Sequence, residues 1–139
     1  MAYWIIGAVL VGVLAAAVAC RKQGPASQQV PPADEGSVFV FVRVPEPIQP
    51  LERASKYEDP LQSALANANL GEVTGGGTQL SEPKADGSRD IEWVGIDVEL
   101  VSIERGLAFL KKELVRLGAP KGTVLEYEQA GKQVEDPVQ

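Results

Sequence analysis

The sequence predicts an α+β domain: a four-stranded antiparallel sheet with two helices packed on one face, preceded by an apolar N-terminal helix. Three observations carry this. In Ile91–Leu100 (IEWVGIDVEL), Val94, Ile96, Val98 and Leu100 alternate with Trp93, Gly95, Asp97 and Glu99. Successive strand side chains point to opposite faces, so one face is aliphatic and buried while the other is wet. Next, Ile103, Leu107, Leu110, Leu114 and Leu117 recur at helical spacing and form one apolar stripe. Finally, the predicted elements follow one another as β-α-β-β-α-β over residues 37–130.

The first strand is Val38–Val44 (VFVFVRV). Its valines share one face and Phe39, Phe41 and Arg43 the other, an apolar run suited to the centre of a sheet. Pro45, Pro47 and Pro50 end it, because proline cannot donate to a ladder. Leu51–Glu58 suits a short helical turn. Asp59 then reads as an N-cap, with Pro60 at the first helical position and Gln62 closing a capping box. Leu61, Ala64, Leu65 and Ala68 supply the apolar stripe of this helix, and Asn69 and Gly71 stop it.

Gly71–Leu80 (GEVTGGGTQL) reads as a strand that bends, bulges or admits a close backbone. A phosphate-binding role is disfavoured, since the run lacks the GK[ST] ending and opens no helix. Ser81–Asp90 is a polar hairpin loop with Asp86-Gly87 at its turn. Ser102 caps the second helix, Glu104 sits in its first turn, and Lys111, Lys112 and Arg116 sit in its last turns, as the helix dipole favours. Gly118 and Pro120 terminate it. Thr123–Gln129 is the last strand, and residues 131–139 read as a disordered polar tail.

The β-α-β-β-α-β order is the ferredoxin-like arrangement, with the first and third strands central. The blocks LGEVTGGGTQL, IEWVGIDVEL and GAPKGTVLEY resemble recurring blocks of a small, uncharacterised bacterial α+β domain family, covering most of Leu70–Tyr127. That resemblance implies a bacterial source and no function. Iron–sulfur chemistry is not implied, because the cysteines are absent.

Residues 1–22 read as a membrane anchor or a lipoprotein signal. Ala2–Cys20 contains no charged residue, and at about 1.5 Å per residue it makes roughly 28 Å of helix, close to the hydrocarbon thickness. Tyr3 and Trp4 suit one interface, and Arg21 and Lys22 close the other end. A core helix is the bland alternative, but little of the chain is large enough to cover it. A permanent span places the following domain in the cytoplasm by the positive-inside rule. The alternative is a secretory signal facing the periplasm or cell exterior. Ala17-Val18-Ala19-Cys20 resembles the lipobox of bacterial lipoproteins, which implies lipidation at Cys20. The segment departs from that pattern at Ala17, where leucine is usual, and lacks an early Lys or Arg. Residues 23–36, rich in Pro, Gln, Ser and Gly, read as a flexible linker.

The totals exclude several functions. The chain has 139 residues, a net charge of −6, no histidine and one cysteine. Nucleic acid is disfavoured, since phosphate contacts need a basic patch. Histidine-dependent nucleophilic catalysis is impossible, and neither an internal disulfide nor a cysteine-built zinc site can form. Asp97 and Glu99 share a strand face, but acidic alternation on a wet face is far commoner as plain solvation than as chemistry. No catalytic residue, metal ligand or cofactor is expected.

The open sheet face offers a contact surface instead. Phe39, Phe41, Trp93, Asp97 and Glu99 would meet there, joined by Glu126 and Glu128. Aromatics on central strands resemble the RNA-stacking face of RRM domains, but the carboxylates oppose phosphate. A protein partner, such as a basic peptide or a basic enzyme, or another copy of the same sheet fits better. The competing reading puts Phe39 and Phe41 in the core and the valines outside. The expected function is a membrane-tethered, non-catalytic protein-binding module. The alternatives are an acidic immunity or inhibitor protein that blocks a toxin or hydrolase, and a small-molecule sensor.

Overall fold

The computed structural model describes residues 36–139. The expectations for the apolar segment, for Cys20 and for all but the last residue of the linker lie outside them. The described chain begins with strand β1 (Val38–Val44). A helical segment follows as α1 (Pro50–Arg53), a π-helical turn over Ala54–Glu58, and α2 (Asp59–Ala68). Strands β2 (Gly71–Leu80) and β3 (Ile91–Leu100), helix α3 (Ile103–Arg116), and strands β4 (Val124–Gln129) and β5 (Lys132–Pro137) complete it. The strands form one antiparallel sheet in the order β2-β3-β1-β4-β5. Among the described residues, no helix is long and apolar enough to cross a membrane.

The alternation in the two central strands decides which face is buried. Val38↔Leu100, Val40↔Val98, Val42↔Ile96 and Val44↔Val94 are cross-strand partners. All of these except Val38 are buried. They pack with Leu61, Leu65, Leu110 and Leu114 of the helices and with Tyr57, Leu125 and Tyr127 in one core. The reading that put Phe39 and Phe41 in the core does not describe this molecule. Slipping the register by one residue would bury Asp97 and Glu99 instead, which the sheet cannot tolerate.

The structure corrects three expectations. Asp59 is not an N-cap: residues 50–68 are continuously helical, the backbone at Glu58 and Asp59 is right-handed, and no side-chain capping bond forms there. Gln62 uses its carbonyl oxygen elsewhere, accepting the Val73 N–H across to β2 at 2.7 Å. The cause lies in Pro60, which has no N–H for the carbonyl four residues back and crowds it. The chain widens by one residue, so that the Asp59 N–H donates to Ala54 O, five residues back.

Ser102 does precede α3, but without a side-chain capping bond. Asn69 at φ 52° and Gly118 at φ 82° end the helices in the left-handed region. They close them through Leu70 N–H to Leu65 O and Ala119 N–H to Leu114 O.

The third correction concerns the C-terminus, which is a fifth strand rather than a disordered tail. Ala130 and Gly131 both take positive φ, 52° and 72°. They make a tight hairpin between Gln129 and Lys132. Val134 and Val138 then pack against the core. Lys111 of α3 pairs with Asp136 at 2.6 Å, which ties β5 to the helix layer.

Candidate functional site

The face away from the helices carries every sequence-predicted site residue within the described chain. Phe41↔Asp97 and Phe39↔Glu99 are direct cross-strand partners. Trp93 lies further along β3 on the same face. The Phe41 and Trp93 rings meet edge to face, with centroids 5.8 Å apart and planes at 77°. Phe41 reaches Trp93 because Gly95 lies between them: a Cβ at Gly95 would stand 2.4 Å from Phe41 Cζ. The ring thus fills the space of a missing side chain, and Gly95 is buried beneath it. Phe39 has no such cover and is 52% exposed.

Charge on this face is one-sided. Glu72 stands opposite Glu99, and Glu135 opposite Glu126. Glu128 follows Glu126 on the same side of β4, and Asp97 lies two residues from Glu99. Arg43 is the only cation among the described strand residues of this face. It contacts Glu126 at 3.1 Å and Glu135 at 3.8 Å. Like charges directly opposite one another are destabilising. Arg43 bridges one such pair and offsets part of its charge, while among the described residues the Glu72/Glu99 pair has no ion-pair partner.

Beside Phe39 the face opens into a groove of about 390 Å³, lined by Phe39, Phe41, Glu126, Tyr127, Glu128 and Gln133 among others. Its walls are thus aromatic and acidic. Among the described residues, no group of three or more His, Cys, Asp or Glu side chains is placed to hold a metal ion.

Sequence reasoning missed Glu72 and Glu135 as members of this surface; it placed Gly95 and Arg43 on this side of their strands but gave neither a role there. Glu72 depends on the β2–β3 register, which shifts between Val73 and Gly75; a bulge there moves side chains between faces unseen in the sequence. Glu135 depends on the unforeseen hairpin. Arg43 was legible from the β1 alternation, but its pairing across two strands was not.

The remaining ionic clusters lie on the helix side and are structural. Arg53, 9% exposed, pairs through Nε with Glu58. Its Nη1 donates to Gly77 O at 2.9 Å and to Thr78 Oγ1 at 3.0 Å. This buckle fastens the π turn to β2, and it gives the glycine run a packing reason. A Cβ at Gly76 would fall within 2.2 Å of Glu58 Oε1 and 2.9 Å of Arg53 Nε.

The second cluster joins Glu46, Lys56 and Tyr57. Tyr57 Oη donates to Glu46 at 2.6 Å and Lys56 Nζ to the same carboxylate at 2.5 Å. Burial first, then the bond to Glu46, pushes the Tyr57 hydroxyl up to about 12.

Comparison of the chain with protein-family models, with curated proteins and with solved structures finds no match. The functional reading therefore rests on the surface itself.

Proposed function

We propose that this chain is a membrane-tethered, non-catalytic module that binds a protein partner through the open sheet face. The observation that carries it is the placement of Phe39. A phenylalanine on a central strand stands half in water, in a face whose other aromatics are packed, and carboxylates surround it. An exposed aromatic within a polar rim is the anatomy of a protein contact rather than of a reaction site. The strand order and the two helical segments support a ferredoxin-like domain extended by one edge strand, a frame that leaves the second sheet face free. The apolar Ala2–Cys20 segment supports tethering. The acidic alternation keeps this face hydrated in the free domain, and nothing in it calls for general acid–base chemistry.

The test is photocrosslinking in cells, with benzoylphenylalanine placed at position 39 or, as a control, in place of the exposed Ala108 on α3. Discrete adducts are expected from position 39 and none from position 108. Absence of adducts at 39, or the same adducts from both positions, removes the reading.

A further inference from the structure

The open face also indicates what kind of partner it takes, and this step rests on the reading just proposed. Two pairs of glutamates face each other across strands on this surface. Glu126/Glu135 are bridged by the Arg43 guanidinium, which contacts both. Glu72/Glu99 have the same opposed arrangement but no cation among the described residues. Among the described residues, the fold thus sets two glutamate pairs opposite one another, one bridged by a guanidinium and one with no ion-pair partner.

Phe39 lies between the second pair and the groove. Glu99 is its direct partner on β3. One register step beyond Val40↔Tyr127 brings Glu128 beside it on β4, and both Phe39 and Glu128 line the groove. Guanidinium groups stack on aromatic faces and pair with carboxylates in a fixed fork, which an ammonium does less well.

We propose that the face docks a basic, arginine-containing peptide segment of the partner. The segment lies across Phe39, with one cation between Glu72 and Glu99 and another in the groove at Glu128. Strands are spaced by about 4.8 Å, so these two positions are roughly 12 Å apart, near the span of residues i and i+4 in an extended peptide. Completing the Glu72/Glu99 pair relieves a repulsion that the free domain carries.

That last point gives the carboxylates a signature that plain solvation lacks. Neutralising Glu99 removes repulsion from the free domain and removes attraction for the peptide, so stability and binding move in opposite directions.

The experiment uses the full chain in non-ionic detergent micelles. Its probes are fluorescein-labelled capped peptides of repeating Arg-Ser-Ser-Ser, with lysine and glutamate counterparts, followed by anisotropy. The arginine peptide is expected to bind, the lysine peptide to bind about threefold more weakly, and the glutamate peptide not to bind. Phe39→Ala should weaken the arginine peptide by about threefold. Glu99→Gln should weaken it by a similar factor, roughly threefold, while raising the urea midpoint of the domain.

Equal binding of the arginine and lysine peptides with no effect of Phe39→Ala would reduce the site to diffuse acidic attraction and overturn the proposal. So would a lowered urea midpoint in Glu99→Gln. Failure of every cationic peptide while position 39 still gives cellular adducts would overturn the basic partner and leave the binding face standing. Loss of the adducts as well would remove both.

Discussion

Gly95 shows how one residue organises the outer face. It sits in the middle of β3 opposite Arg43, where any side chain would meet the Phe41 ring. The aromatic ring shields the bare backbone, and Trp93 holds the ring edge-on. We predict that Gly95→Ala destabilises the domain by about 1–3 kcal/mol, the usual cost of forcing extra volume into a packed site. A urea titration measures this. Gly95→Ala combined with Phe41→Ala should cost less than the sum of the two single changes, because the clash disappears with the ring. Strict additivity would mean that the ring does not rest on Gly95. Phe39 behaves differently at the same scale: Phe39→Ala should leave the urea midpoint nearly unchanged, since half of its surface is already in water. Phe41 and Trp93 are therefore partly fold residues, whereas Phe39 keeps half its surface in water and is the aromatic that the proposed partner would bury.

Among the elements, β5 is the least secure and the most instructive. Its hairpin requires two successive residues with positive φ, and the first of them is alanine. An alanine held in the left-handed region costs roughly 1 kcal/mol, whereas Asn-Gly is a favoured pair for this turn. Ala130→Asn should therefore stabilise the domain by about 0.5–1 kcal/mol. The change should appear in thermal unfolding followed by far-ultraviolet circular dichroism; a decrease in the midpoint would count against the turn. The same alanine explains why β5 was not legible. Ala-Gly is a weak turn signal, and Val134 alone among Lys132–Pro137 is a strand-forming aliphatic residue. The central strands were legible because eight alternating positions in β3 and seven in β1 pointed to one answer and agreed with the stripe of α3. The capping box misled for a physical reason. Asp59, Pro60 and Gln62 have the right spacing, but Pro50 had already started the helix, and the chain absorbed Pro60 with a π turn. That turn brings Arg53 and Glu58, five residues apart, onto one side. Spacing rules built on regular helices do not anticipate such a pair. Of the candidate site, the five residues foreseen do share one face. The glutamates that make its charge one-sided were partly hidden, because their faces depend on a bulge and on an unforeseen hairpin.

For the whole molecule, the Tyr57 cluster makes stability depend on alkaline pH. The Tyr57 hydroxyl is raised from its ordinary value near 10 to about 12, by burial and then by its bond to Glu46. A raised folded-state value means that the folded chain holds the proton more tightly. The contribution is fully present below about pH 10 and is lost as pH rises through about 12. Tyr57→Phe should flatten the fall of the urea midpoint across that window; an unchanged slope would assign it to other groups, such as Tyr127, which burial also raises. Glu46 acts in the opposite sense. Burial alone would raise its carboxyl, but the hydrogen bonds from Lys56 and Tyr57 and the Lys56 charge outweigh it and hold it below its ordinary value. Its contribution is present above the unfolded value and is lost as pH falls through the depressed one. If the chain is tethered as proposed, the side of the membrane on which the domain works decides which basic partner could reach Phe39. Because β5 is part of the sheet, a tag following Gln139 reports the position of the domain itself. Arg21 and Lys22 follow the apolar segment directly, which favours the domain on the cytoplasmic side. The tag should then resist external protease in intact spheroplasts, and Cys20→Ala should change neither chain size nor membrane association. A digested tag together with altered processing of Cys20→Ala would reverse the assignment: the chain would be a lipidated envelope protein, and its acidic face would meet secreted basic proteins, the setting in which an inhibitor rather than a cytoplasmic adaptor is expected.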